Sequence, residues 1–141
     1  MNLLLEIAAD DGELEHSGDL SLLKGRKFQL WEYRVGHGSL LVRSPKDSEH
    51  PTNVDVICMG VEYLELPRFM ADLSIEQANP DEVSRARTVL MDRFRKTERT
   101  RIFAAAGNRF LVVSISLSVS ENKDGFWESP FDSPKAKPSV D

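Results

Sequence analysis

The residues best suited to chemistry are scattered along this sequence, and the first of them stands in a glycine-rich stretch. WEYRVGHGSLLVRSP, residues 31–45, places His37 between two glycines, and an imidazole on a loop is a common general base. A catalytic role needs a nucleophile nearby, and Ser39 does not lie in the G-x-S-x-G pattern of a nucleophile elbow. Glycine adopts positive φ without steric cost, which a tight turn requires. We therefore predict that His37 lies at the tip of a β-hairpin.

Potential metal ligands are few. The acidic stretch DDGELEH, residues 10–16, offers carboxylates and an imidazole, but its spacing does not match a calcium-binding EF-hand loop. The chain has three histidines and one cysteine, Cys58, so neither a thiolate metal cluster nor an internal disulfide is expected. We predict no metal, no cofactor and a solvated loop at residues 10–16. The absence of a signal-like or membrane-length apolar segment, together with the single cysteine, predicts a cytoplasmic location.

The strongest charge pattern is a basic segment, residues 85–101. It contains seven Lys or Arg and two acids, a net +5, so within a chain of net charge −5 the other 124 residues carry −10. On a helix, four of its bases fall together opposite the apolar stripe: Arg85, Arg95, Lys96 and Arg99. They form either a docking face or a solvated face that stabilises the helix through i,i+4 pairs and its dipole. Arg87 falls on the apolar side, where it either extends to solvent or pairs with a carboxylate such as Glu62.

The C-terminal residues 121–141 contain prolines and no periodicity. They predict a flexible or loosely docked tail behind a compact domain of residues 1–120. Phe126, Trp127 and Phe131 are unusual there, because disordered segments seldom carry several large aromatic residues. These rings either pack back on the domain or form a short peptide that a partner recognises. Trp127 is therefore a candidate partner-binding residue.

Alternating apolar residues predict the sheet that positions these candidates. Residues 27–35 and 39–44 read as the two strands of the His37 hairpin, and 54–67 as a strand buried on both faces. Gly60 marks a bulge in the latter. A short edge strand is expected around residues 73–76.

A second hairpin is predicted at Gly107-Asn108, which joins strands 102–106 and 109–119. In the later strand apolar residues alternate with serines, which predicts one buried and one solvated face. The residues expected to be buried are Leu111, Val113, Ile115, Leu117 and Val119.

One main helix is expected over about residues 80–99. Asn79 suits the N-cap, Pro80 the first helical position, and Glu82 the position from which a side chain reaches back to the cap. The pieces predict a single α+β domain, a mainly antiparallel sheet of four to six strands packed against one helix.

No dinucleotide loop, phosphate loop or zinc-binding helix motif appears in the sequence. The acidic body argues against nucleic-acid binding, because phosphate contacts supply most non-specific affinity. The leading hypothesis is a non-catalytic protein-binding domain, of inhibitor or immunity type, that neutralises a basic partner. Its candidate contact residues are Asp10, Asp11, Glu13, Glu15, Arg85, Arg95, Lys96, Arg99 and Trp127. Two alternatives remain: an enzyme whose site is assembled from His37, His50 and Asp55, and a nucleic-acid contact through the basic helix 85–101.

Overall fold

The fold is a curled antiparallel sheet with one helix on its outer side. In this computed structural model, residues 14–132 are described. Seven strands pair in the order β4-β1-β2-β3-β7-β6-β5, all antiparallel. Their bounds are β1 Lys27–Arg34, β2 Ser39–Ser44, β3 Asn53–Leu64, β4 Phe69–Ala71, β5 Ser74–Gln77, β6 Thr100–Ala105 and β7 Asn108–Asn122. The α+β prediction with an antiparallel sheet is confirmed, but the predicted range of four to six strands is too low.

The two edges of the sheet are joined by a very short link. β4 and β5 lie at opposite ends of the strand order, yet only Asp72 and Leu73 separate them in the chain. Three residue steps span no more than about 11 Å, so the edges must approach each other. The sheet therefore curls into a half-barrel. β4 has three residues and β5 has four. Strands this short show too little alternation for the sequence to distinguish two strands there.

The helix α1, Pro80–Leu90, begins where the sequence predicts. The amide of Glu82 donates to Asn79 Oδ1 at 2.8 Å, and the amide of Asn79 donates to Glu82 Oε1 at 2.9 Å, which completes a capping box. The helix ends nine residues earlier than the predicted position 99. Met91 follows it with φ 55, and the chain continues through two 3-10 turns, Met91–Arg93 and Thr97–Arg99.

The sheet dictates this early end. β5 and β6 are antiparallel neighbours, with Gln77 opposite Arg101, so the chain must leave and return at nearly the same point. A helix over residues 80–99 would be about 30 Å long and would carry the chain away from β6. The 11-residue helix is about 16 Å long. Residues 91–99 can cover that distance in the opposite direction and bring the chain back to β6.

Two apolar cores lie on opposite sides of the sheet. The inner one fills the curl, with Phe28, Val42, Val56, Phe103 and Leu117 among its members. The outer one packs Ala86 and Leu90 of α1 against Ile102, Leu111 and Val113.

The predicted alternation along β7 is wrong at its middle. Ser114 is fully buried and Ile115 is 54% exposed. The strand passes from the core beneath α1 to the core inside the curl, so one side does not stay buried along its whole length. Ser114 is tolerated inside because its hydroxyl donates to the Ser116 carbonyl at 3.0 Å and accepts from Arg101 at 3.1 Å.

Both predicted hairpins are present. β1 and β2 are joined by a 3-10 turn, Val35–His37, followed by Gly38 in the left-handed region. β6 and β7 are joined by Ala106 and Gly107, both at positive φ, so the turn lies one residue earlier than Gly107-Asn108. Gly60 also has positive φ, and a register shift follows between Val61 and Tyr63.

Within residues 14–132, no helix combines the length and apolar character needed to span a bilayer.

Candidate functional site

An open groove of about 460 Å³ lies between β1 and the C-terminal segment 126–132. It combines exposed aromatic rings with charges of both signs. Its lining residues are Gln29, Leu30, Trp31, Glu32, Arg34, Arg68, Phe126, Trp127, Glu128, Ser129 and Asp132. Concave surfaces with this mixture are the usual places for a protein to bind a ligand or a partner.

The aromatic part of the groove is a row of three rings. Trp31 of β1 and Phe126 meet edge to face with centroids 5.1 Å apart, and Phe126 and Trp127 meet in the same way at 4.7 Å. Exposure rises along the row, to 56% for Phe126 and 89% for Trp127. Trp127 therefore presents nearly its whole ring to solvent, supported by a neighbour that is itself packed on the sheet.

The C-terminal segment is tied to the sheet by polar contacts. Ser129 Oγ donates to Glu32 Oε1 at 2.7 Å. The Arg34 guanidinium donates to both Asp132 oxygens at 2.9 and 3.0 Å and to Glu32 at 2.6 Å. These carboxylates raise the pKa of Arg34 above its ordinary value, with Asp132 the larger cause.

A buried ion pair underlies the segment. Arg43 of β2 and Asp55 of β3 are fully buried and bonded in a bidentate pair. The remaining Arg43 nitrogen, Nη1, donates to the carbonyl of Glu128 at 3.0 Å, and its guanidinium carbon lies 5.7 Å from the centre of the Trp31 ring. Arg43 thus contacts both walls of the groove, β1 through Trp31 and the C-terminal segment through the Glu128 carbonyl.

The three residues of the enzymatic alternative are not brought together. His37 is exposed on the β1–β2 turn, and His50 lies in the loop after β2, with Nδ1 3.1 Å from Asp47 Oδ1. The six residues of β2 separate these loops, a distance of roughly 16 Å. Asp55 is fully buried, and both of its carboxylate oxygens are bonded to Arg43.

The predicted basic face does not exist as a single helix face. Arg95, Lys96 and Arg99 lie beyond the end of α1, so the prediction that they share a helical surface with Arg85 is wrong. Arg95 is exposed and its Nη1 donates to the Asp92 carbonyl at 2.6 Å. Lys96 is exposed and Arg99 half-buried.

Other bases of the 85–101 segment are already engaged. Arg85 bonds both oxygens of Glu65 at 2.9 and 3.0 Å, and Arg93 pairs with Glu62. Of the two options for Arg87, extension to solvent or a pair with a carboxylate such as Glu62, the structure shows the first: Arg87 is exposed, with its guanidinium carbon 4.4 Å from the centre of the Phe94 ring. Arg101 is 1% exposed and donates to main-chain carbonyls.

The predicted acidic contact residues are described only in part. Glu15 is exposed, and its carbonyl accepts from Arg101 at 3.3 Å. Asp10, Asp11 and Glu13 lie outside the described residues.

The described residues contain neither a cluster of metal ligands nor an exposed thiol. Residues 14–132 contain no cluster of three or more His, Cys, Asp or Glu side chains placed to hold a metal ion. Cys58 is fully buried in the inner core, and this burial raises the pKa of its thiol to about 11. Cys58 therefore packs as an apolar side chain of the inner core.

Of the groove residues, the sequence pointed only to Phe126 and Trp127, and it offered only Trp127 as a contact candidate. Trp31, Glu32 and Arg34 lie in a strand, as predicted, but nothing in their spacing links them to residues nearly a hundred positions later. The one available signal was the cluster of Phe126, Trp127 and Phe131 in a proline-containing segment.

No protein-family model, curated protein or solved structure matches this chain.

Proposed function

We propose that this chain is a non-catalytic protein-binding domain whose contact surface is centred on the groove beside Trp127. The observation that carries the proposal is the 89% exposure of Trp127 at the end of an ordered aromatic row. Exposing a large ring costs free energy that burial in a complex recovers, and tryptophan is the residue most enriched among binding hot spots. Rigid support by Phe126 lowers the entropy lost on binding.

We further propose that the partner is a basic protein. The chain carries a net charge of −5, which steers cationic molecules toward it. Several of its arginines are neutralised by its own carboxylates, namely Arg34, Arg43, Arg85, Arg93 and Arg109. An inhibitor or immunity-type protein that blocks a basic target belongs to this class, and that narrower assignment is part of the proposal.

The same ion pairs weigh against the nucleic-acid alternative. Arg85 and Arg93 are bound to Glu65 and Glu62, and a phosphate would have to displace those carboxylates. The enzymatic alternative has no structural support, because His37, His50 and Asp55 are not brought together.

The test is quantitative affinity capture with the tagged full chain from its own host, in parallel with two variants. Trp127→Ala removes the exposed ring, and Met91→Ala is the matched control, because Met91 is 74% exposed at the end of α1 and does not line the groove. We expect at least one basic protein to be retained equally by the wild type and Met91→Ala and to fall at least about tenfold with Trp127→Ala, as for a hot-spot residue. Retention of the same proteins by all three chains would rule out this surface.

Salt dependence provides a second readout for the retained protein. Its association rate should fall as ionic strength rises, because long-range attraction is screened beyond roughly 10 Å at 0.1 M salt. An association rate that does not change with salt would exclude an electrostatically steered basic partner.

A further inference from the structure

The β1 strand has an open edge beside the groove. β4 pairs with β1 only from Lys27 to Gln29, and one further bond, from the Leu30 amide to the Arg68 carbonyl at 2.8 Å, ends the contact. β1 itself continues to Arg34. Among the described residues, no strand pairs with positions 31–34 on this side. Unpaired main-chain groups of an edge strand are a template for another strand.

The groove runs along this same stretch of β1, because its lining includes Leu30, Trp31, Glu32 and Arg34 as well as Arg68 at the point where β4 begins. The segment 126–129 forms the opposite wall. An added segment that continued the line of β4 beyond Arg68 would run along residues 31–34 of β1 and into the groove that the exposed rings line.

The charges in the groove are unequally neutralised. Arg34 is paired with two carboxylates, Glu32 and Asp132. Glu128 accepts a bond from the Gly125 amide, and no described Lys, Arg or His lies within 4.0 Å of its carboxylate. Glu128 follows Trp127 in the chain and lines the same groove, so it contributes a negative charge there that no described cation neutralises.

That combination selects a cation. A Lys or Arg side chain over a tryptophan face gains a cation–π attraction, and a carboxylate beside it adds a charge-assisted hydrogen bond. Arg68 is exposed at the β4 end of the groove, with its guanidinium carbon 4.9 Å from the Phe69 ring centre. It disfavours a second cation at that end.

We infer that the open edge of β1 accepts an extended segment of the partner as an added strand, with an Arg or Lys of that segment placed over Trp127 and beside Glu128. The inference rests on the proposed function and adds to it the conformation and the recognised side chain. Main-chain bonds to β1 supply affinity, and the Trp127–Glu128 pair supplies selectivity.

The test uses a displayed library of random eight-residue peptides selected on the immobilised full chain. We expect the enriched peptides to lack proline and to share one Arg or Lys among β-branched or aromatic residues. Replacing that residue by norleucine should weaken binding at least about tenfold, consistent with a desolvated cation–π contact. Enrichment of proline-rich or acidic peptides would overturn the inference.

Methylation of single peptide amides distinguishes strand pairing from other modes. Successive amides of a paired strand point alternately toward and away from the neighbouring strand. N-methylation should therefore abolish binding at every second position and be tolerated between them. Tolerance at every position would exclude strand addition while leaving a Trp127-centred protein-binding surface in place.

Two pairs of protein variants complete the design. Glu128→Gln should weaken the selected peptides about tenfold, whereas Glu49→Gln, an exposed glutamate of the β2–β3 loop, should not. Trp127→Ala should abolish binding, and Met91→Ala should not. Peptides that bind Trp127→Ala as tightly as the wild type would contradict both this inference and the proposed function.

Discussion

Arg43 and Asp55 stand opposite each other on β2 and β3 and form two parallel hydrogen bonds, of 2.7 and 3.0 Å, with side chains 1% and 0% exposed. Asn122 Nδ2 donates a further bond to Asp55 Oδ2 at 2.7 Å. Because Arg43 Nη1 also holds the Glu128 carbonyl, this pair links the interior of the sheet to the wall of the groove.

Breaking the pair on one side should be costly. Arg43→Met leaves the Asp55 carboxylate buried without its cation, and Asp55→Leu leaves the guanidinium, so each should lower the free energy of unfolding by about 3–5 kcal/mol. The double variant removes both charges and should recover most of that loss. Urea unfolding of the four chains measures this, and equal losses in the single and double variants would contradict it.

The β1–β2 turn should depend on Gly38 and not on His37. Gly38 has φ +60, and a Cβ there would lie 2.7 Å from the Val61 amide nitrogen. Gly38→Ala should therefore destabilise the fold by about 2 kcal/mol or more, from both strain and collision with β3. His37→Asn, at an exposed position one residue away, should leave stability unchanged and is the matched control. Equal thermal midpoints for the two variants would contradict this account.

The end of α1 is strained at Met91. This residue has φ 55 and ψ −123, which only glycine adopts without cost, and its side chain is 74% exposed. Met91→Gly should raise the free energy of unfolding by about 1 kcal/mol. Met91→Ala keeps the Cβ and should give no gain. Denaturant midpoints measure both, and a loss of stability in the glycine variant would show that the Met91 side chain contributes more than its strain costs.

Acid should destabilise the β5–α1–β7 contact. Hydrogen bonds from Arg109 lower the pKa of Glu82, and those from Ser74 and then Arg109 lower the pKa of Glu76. The folded state thus binds protons less readily than the unfolded chain, whose glutamates titrate near 4.5. This contribution is fully present above pH 4.5 and is lost as the pH falls through the lower folded-state pKa values.

The matched variants for this prediction are Arg109→Gln and Arg95→Gln. Arg109→Gln should be less stable at pH 7 and should lose less stability between pH 5 and pH 3 than the wild type. Arg95→Gln removes an exposed arginine that bonds the Asp92 carbonyl, and its pH dependence should follow the wild type. Identical pH slopes for wild type and Arg109→Gln would show that these pairs do not contribute to acid sensitivity.

Local rules determined the features that the sequence predicted well. The cap at Asn79, the hairpin at His37 and the turn near Gly107 depend on residues within four positions of one another, and their hydrogen bonds close over short loops. A glycine at positive φ or a side chain that reaches its own helix is set by local sterics. The fold class follows, because hairpins joined in succession produce an antiparallel sheet.

Only the tertiary structure decided where α1 ends and how the groove forms. Gln77 and Arg101 are adjacent, so the connection between β5 and β6 must double back, and this overrides an apolar stripe that continues to Phe94. The bond from Ser129 to Glu32 joins residues 97 positions apart. Such a contact depends on the closure of the whole sheet and on a buried arginine beneath it, which no local pattern encodes. Sequence therefore determined the longer strands, their hairpins and the aromatic cluster, and long-range packing decided that Trp31, Phe126 and Trp127 form one surface.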